Sequence, residues 1–245
     1  MGLFISNQVF VFIYFGTKKI PKNKYLCLIN REKMSIQQNL EKISKKVPSE
    51  ITLVAVSKTK PLEAVQEAYK AGQRVFGENR VQEMVEKHAA LPKDIQWHLI
   101  GHLQRNKVKY IAPFVSLIHG IDSFETLEEI NKQALKNNRI INCLLQAKIA
   151  TEESKFGMSF SQIQEILTSK KLGTLENIRV IGLMGMASYT DNKLQISREF
   201  NSLKTFFNTT SLRILSMGMS GDYPLAIENG SNMIRVGSAI FGARN

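Results

Sequence analysis

The sequence predicts an α/β chain folded as a single (β/α)8 barrel, and three observations carry that prediction. From Ile51 onward, eight short apolar or β-branched runs alternate with amphipathic helical stretches. Parallel neighbours need a crossover connection, so such alternation builds a parallel sheet. Runs such as "CLLQA" and "VIGLMGM" are apolar or small almost throughout, which suits strands buried on both faces. Eight units within about 200 residues favour closure over an open doubly wound sheet. That open sheet, the alternative, usually carries a Gly-rich first turn such as GxGxxG, and "VSKTKP" is nothing like one.

Residues 1–33 stand outside this pattern. Their stretch "LFISNQVFVFIYFGTKKIPKNK" has an apolar run shorter than the ~20 residues of a spanning helix, broken by Ser6, Asn7 and Gln8. It lacks the basic start and small-residue cleavage site of a signal peptide. The expectation is an extension arising from an over-long translation start, with Met34 as the true beginning and 34–245 as the barrel. A membrane anchor or signal segment is the alternative. Ser35 and Gln38 then fit a capping box, and Ile36, Leu40, Ile43 and Val47 recur at helical spacing before Pro48 stops the helix.

The barrel units follow in order. "ITLVAVS" leads to the helix "PLEAVQEAYKAG", "RVFG" to "VQEMVEKHAAL", "IQWHLIG" to "QRNKVKYIA", and "VSLIHGID" to "SFETLEEINKQALKNN". "INCLLQAKI" leads to "SFSQIQEILTSKKL", "RVIGLMGMA" to "NKLQISREFNSLKTFF" and "LRILSMGMS" to "DYPLAIENG", and "MIRVGSAIFG" closes the sheet. Leu127, Ile130 and Ala134 make one buried stripe, as do Ile163, Ile166 and Leu167. Gly72 and Gly230 close helices in the left-handed conformation. Phe76, Trp97 and Met186 read as core.

An apolar share of 43% with 22% charged residues is ordinary for a globular protein. The formal charge of +12 invites a nucleic-acid reading. Beyond residue 33, however, 27 Lys/Arg against 20 Asp/Glu leave +7, scattered along the chain. There is no Arg-rich arm and no aromatic-basic interleaving, and a basic surface suits an anionic small ligand equally well. Cys27 and Cys143 make no disulfide framework, so a reducing, cytoplasmic compartment is expected. The histidines at 88, 98, 102 and 119 have no metal-ligand spacing.

A barrel places its active site at the C-terminal strand ends. Those ends carry Ser57-Lys58, Gly77-Glu78-Asn79, His98 with Gly101, Gly120-Asp122, Lys148, Met184–Ser188, Ser216–Ser220 and Arg235–Ser238. "SMGMSGD" and "RVGSAIFG" end the last two strands, where barrels often hold a phosphate. Gly218, Gly221 and Gly237 let backbone N–H groups approach an anion; Ser216, Ser220 and Ser238 add hydroxyls, and a helix opening near Asp222 adds its positive end. Burial near other cations would lower the pKa of Lys58, and a neutral amine adds to an aldehyde to form an imine. An imine lysine opposite a phosphate cradle suggests pyridoxal 5′-phosphate (PLP), with Arg235 as the partner of its pyridine nitrogen. Lys60 reads as a solvated strand-end lysine.

At these residues the sequence resembles the YggS/PROSC family, the pyridoxal phosphate homeostasis proteins. "AVSKTKP", "FGENRVQE", "WHLIGHLQRNK", "SKFGM", "GLMGM", "SMGMSGD" and "IRVGSAIFGAR" appear in the family's order from about Met34 to the end. The resemblance implies a TIM barrel similar to the N-terminal domain of alanine racemase. It makes Lys58 the imine lysine, Asn79 a pocket residue and Arg235 the arginine at the pyridine nitrogen. The phosphate falls to Ser216, Gly218, Met219, Ser220, Gly237 and Ser238. "KIATEESKFGM" departs from the family pattern, which leaves Glu152 and Glu153 without a role.

The family carries and buffers PLP rather than turning over a substrate, so the expected function is intracellular PLP homeostasis and delivery, with apo PLP-dependent enzymes as partners. A fixed positive charge beside the pyridine nitrogen makes a poorer electron sink. A racemase also needs a second base from a further domain and a partner chain, and no such domain is expected here. A lone barrel without an appended dimerisation domain points to a monomer, with no nucleic acid or membrane as partner. The rival is a PLP-dependent racemase or lyase acting on a small amino acid, with His98, His102 or Tyr189 as its second acid/base.

Overall fold

In the computed structural model the described residues are 34–152 and 156–243, so the 1–33 extension lies outside them. The chain enters the fold through α1 (Ile36–Ser44) with the expected reciprocal cap. Ser35 Oγ accepts the Gln38 N–H at 3.1 Å and Gln38 Oε1 accepts the Ser35 N–H at 2.9 Å. The helix ends at Ser44, ahead of Pro48, so Val47 lies past its apolar stripe and reaches the core from the turn.

Eight parallel strands close a barrel in chain order. They are β1 (Thr52–Val56), β2 (Val75–Glu78), β3 (Gln96–Leu99), β4 (Leu117–Ile121), β5 (Ile141–Ala147), β6 (Ile178–Gly185), β7 (Ile214–Ser216) and β8 (Met233–Val236). Closure is made by β1 against β8, with Thr52–Ala55 in register with Met233–Val236. The outer ring is α2 (Leu62–Lys70), α3 (Val81–Ala90), α4 (Val108–Ile111), α5 (Phe124–Lys136), α6 (Phe160–Thr168), α7 (Lys193–Asn208), α8 (Tyr223–Glu228) and α9 (Ser238–Phe241). Gly72 and Gly230 take φ +98° and +86° at helix ends, as expected. One helix is shorter than its sequence suggests. "QRNKVKYIA" divides into a 3-10 turn (Arg105–Lys107) and the one-turn α4, because only Val108, Ile111 and Ala112 have apolar surface to bury.

Two cores result. The larger lies between strands and helices around Phe76, Met84, Trp97 and Phe200, all fully buried. The smaller fills the barrel lumen with Val54, Leu117, Leu144, Met184 and Met233, and Met186 packs at its edge. Side chains alternate faces along a strand, so the residues two beyond this plug also face the lumen. That rule brings His119 (after Leu117) and Arg235 (after Met233) to one level above the plug. Along β1 the same rule carries as far as Val56 on the lumen side, and Lys58 stands two residues beyond the strand's end. No described helix is long and apolar enough to cross a membrane.

Candidate cofactor site

Lys58 stands at the corner of a tight turn. The Lys60 N–H donates to the Ser57 carbonyl at 3.0 Å, and Thr59, third of the four residues, has φ +62°. A turn with positive φ at that position is of type II, where glycine is the relaxed occupant. A β-branched residue there stores strain on the order of 1–3 kcal/mol. Lys58 itself is half-buried. Lys60 is not simply solvated: its Nζ donates to the carbonyls of Phe241, Gly242 and Ala243, each at 3.1 Å, closing the carboxyl end of α9.

The floor of the lumen is a continuous chain of hydrogen bonds. Arg235, 3% exposed, donates through Nη1 to Ser216 Oγ at 2.7 Å and through Nη2 to the Gly185 carbonyl at 3.1 Å. Ser216 Oγ lies 3.3 Å from His119 Nδ1, and His119 Nε2 lies 3.1 Å from His98 Nδ1. Arginine only donates, so Ser216 accepts from it and spends its own hydrogen on His119 Nδ1. His119 then carries its proton on Nε2 and gives it to His98 Nδ1, and His98 keeps its own on Nε2. One direction of donation therefore sets both tautomers.

Burial holds both rings neutral. It lowers the His98 pKa to about 3, and it holds His119 well below the ordinary value, with the charges of His98 and Arg235 adding to the effect. Burial also lowers Arg235 to about 10, which leaves it a cation at neutral pH. Among the described residues Arg235 enters no ion pair, although the nearby Asp222 carboxylate partly offsets the effect of burial. Ser216, expected at the phosphate loop, belongs to this floor.

The β7 and β8 loops lie next to the end of β1, since β8 pairs with β1. Gly218 has φ +91°, and a Cβ there would lie 2.6 Å from Ala226 Cβ, so the turn into α8 tolerates glycine alone. The Gly218 carbonyl accepts the Arg235 N–H at 3.0 Å, tying this loop to the floor. The amino end of α8 does not face outward to an anion as expected: the N–H groups of Asp222 and Tyr223 both donate to the Met219 carbonyl, and Asp222 Oδ1 accepts the Met219 N–H. The converging donors are instead at α9. The N–H groups of Gly237 and Ala239 meet on Ser220 Oγ at 3.1 and 3.3 Å, the arrangement one oxygen of an anion would take. Met219 and Ser238 are exposed at this rim, and Asn79 is half-buried at the end of β2.

The other expected groups lie elsewhere. His102 pairs with Asp122 at 3.0 Å and stacks on Phe156, beside a groove of about 510 Å³ that Lys58, Asn79 and Arg235 do not line. Tyr189 is 95% exposed. Glu152 Oε1 accepts the Tyr189 N–H at 2.7 Å, and Glu153 lies outside the described residues. His119 was not legible as a site residue from the sequence; its signal is the alternation in "LIHGID" once Leu117 is known to face the lumen.

An amine just past β1, a buried arginine on the floor and converging backbone donors at α9 make a barrel mouth whose charge and donors suit an anionic ligand. The family described as "Alanine racemase, N-terminal domain" matches residues 32–245. The pyridoxal phosphate homeostasis protein of Vibrio alginolyticus is 40% identical over 232 residues, 86% of this chain and 98% of that one. That of Aquifex aeolicus is 39% identical over 201 residues, 78% of this chain and 86% of that one. The structure of PipY of Synechococcus elongatus with PLP bound superposes with a TM-score of 0.77 at 35% identity, covering 85% of this chain and all of PipY. Alanine racemase of Bartonella henselae, at 17% identity and TM-score 0.69, shares the fold over 85% of this chain and 58% of its own. The chain belongs to the pyridoxal phosphate homeostasis protein family.

Proposed function

We propose that this protein binds PLP at the barrel mouth, holds its aldehyde carbon reversibly as an imine of Lys58, and supplies the cofactor inside the cell without turning over a substrate. The observation that carries the reading is the buried Arg235, free of any direct ion pair among the described residues, on β8 next to β1, with the α9 donors just after it in the chain. These residues fit the ligand's three groups. The Gly237 and Ala239 N–H groups, with Ser220 and Ser238, receive the phosphate, and Met219 and Gly218 shape the loop over it. Arg235 faces the pyridine nitrogen, and Asn79 lines the pocket from β2.

Bound there, PLP supplies an electron sink for chemistry at an amine carbon, and the surrounding residues weaken it. Arg235 keeps a positive charge beside the ring nitrogen, so protonation of that nitrogen is disfavoured. His98 is neutral and committed to His119, Tyr189 faces solvent, and His102 is paired with Asp122. None of the three is set to exchange a proton on a second face. Lys58 would supply the amine that holds the aldehyde, with water leaving as that bond forms and water or an incoming amine reversing it. Delivery to apo PLP-dependent enzymes follows from that reversibility, by a monomer in the cytoplasm with neither nucleic acid nor membrane as partner.

The test is an absorption spectrum of the protein with PLP before and after borohydride, beside Lys58→Ala. A band fixed by reduction onto Lys58 and lost in the variant is expected; a band that survives the substitution overturns the assignment. Exchange of amino-acid α-protons at ~1 s⁻¹ or faster would make the protein an enzyme instead.

A further inference from the structure

Behind β1, on the helix side of the sheet, lies a charged cluster that the ligand site does not use. Lys87 of α3, 4% exposed, donates through Nζ to Glu78 Oε1 at 2.8 Å, to Glu83 Oε1 at 2.7 Å and to the Ser57 carbonyl at 2.7 Å. Ser57 Oγ donates to the same Glu78 oxygen at 2.6 Å. Glu83 Oε1 also accepts the N–H of Thr59 at 2.6 Å. Glu78 is fully buried, and its Oε2 has no hydrogen-bond partner among the described residues. Its carboxyl pKa is raised by burial, against the pull of Lys87 and Ser57.

Stability does not account for this arrangement. A buried ion cluster loses much of its Coulomb gain to desolvation, and an apolar replacement of like volume is often as stable or more so. An orphaned carboxylate oxygen adds to the cost. The type II turn adds more, because threonine stands where glycine would be relaxed. The cluster grips Ser57 and Thr59, the two neighbours of Lys58: Ser57 through its hydroxyl and carbonyl, Thr59 through its amide. Backbone strain that persists is held by its surroundings, and here the holder is visible: Glu83 fixes the Thr59 amide while Lys87 fixes the Ser57 carbonyl.

We propose that Glu83, Lys87, Glu78 and Thr59 are positioning residues for Lys58, a clamp that fixes the turn from behind so that the lysine's root is set before PLP arrives. The inference rests on the Lys58 reading above. A lysine side chain has a long flexible stem, and bond formation needs its nitrogen within reach of the aldehyde carbon at a narrow angle. Fixing the root removes part of that search from the ligation step. The strained turn also keeps Lys58 from relaxing away when the carbon–nitrogen bond is broken, so repeated loading meets the same geometry.

The test uses the full chain as Thr59→Gly, Glu83→Ala and Glu83→Gln, with Lys58→Ala as reference. It measures the rate of appearance and the pH midpoint of the PLP absorption band, beside melting without ligand. Thr59→Gly leaves the cluster intact and melts at or above the parent, yet forms the band about tenfold more slowly. Glu83→Ala slows it similarly, and Glu83→Gln, which keeps an acceptor for the Thr59 N–H, stays within about threefold of the parent. Parental rate and pH midpoint in both Thr59→Gly and Glu83→Ala overturn the clamp. If Glu83→Ala does not fold, Thr59→Gly decides alone. A band retained by Lys58→Ala sinks the underlying reading; a band lost there but unchanged in the clamp variants sinks only the inference.

Discussion

The two polar clusters of this barrel solve burial in opposite ways. On the floor, Arg235 is hydrogen-bonded by neutral acceptors, Ser216 and the Gly185 carbonyl, with His119 and His98 beyond, and the Asp222 carboxylate acts on it without a direct ion pair. Behind β1, Lys87 is met by two carboxylates, Glu78 and Glu83, so its charge is spent inside the protein. On the proposed reading, Arg235 serves a ligand because it is hydrogen-bonded without a direct ion pair. A cation meant as a fastener works best when neutralised on the spot. Two cations, an arginine and a lysine, buried within one fold, divide by what surrounds them.

The largest test of this contrast is Lys87→Met. It leaves Glu78 buried and unpaired, so the ligand-free protein loses ~3–5 kcal/mol and melts roughly 10 °C lower. Adding Glu78→Leu recovers most of that loss, since the desolvated carboxylate is gone, while band formation with PLP stays slow. A double variant that ligates at the parental rate would make the cluster merely structural.

Acid acts chiefly through the floor. His98 and His119 have folded pKa values below the ordinary 6.5, so at lower pH the unfolded chain binds protons that the folded one refuses. Their contribution is complete above about pH 6.5 and is lost as pH falls toward about 3, the value at His98. Each histidine costs up to ~1.4 kcal/mol per pH unit in that window, with a smaller share from partly buried His88. Glu78 opposes them: its raised pKa favours the folded state as pH falls through its folded value toward 4.5. His119→Gln therefore flattens the fall in melting temperature between pH 7 and 5, and Glu78→Gln steepens the acid limb.

The smallest effect belongs to the rim. Ser220→Ala removes the acceptor shared by Gly237 and Ala239, at a cost of about 1 kcal/mol, or a few degrees of melting. Inorganic phosphate restores more of that stability in the variant than it adds to the parent, because the freed donors take its oxygen. Equal stabilisation of both would place the phosphate elsewhere.

Much of this was legible without coordinates. Lys58, Asn79 and Arg235 declare themselves as polar residues at strand ends, and the glycines of "SMGMSGD" and "RVGSAIFG" announce close backbone approach. Ser216 reads from the sequence as a loop hydroxyl and in the structure also accepts from Arg235, because a strand-end serine looks the same whether it faces a loop or an arginine. The start of α8 was read as an anion donor, yet Met219 turns its carbonyl back onto those N–H groups, a local closure that composition does not reveal. His119 and Lys87 carried no signal of their own, being ordinary members of a strand and a helix.

By itself the sequence determined the alternation of strands and helices, the closure of eight units and the residue types at the mouth, because hydrophobic period and chain length are local quantities. Which hydroxyl met Arg235, which carboxylates took Lys87, and that Thr59 would be held at positive φ were decided only by tertiary structure. The floor depends on partners 19 and 97 positions apart in the chain, Ser216 with Arg235 and with His119; Lys87 meets Glu83 and Glu78 only 4 and 9 positions away, but the strain at Thr59 is held from a neighbouring helix.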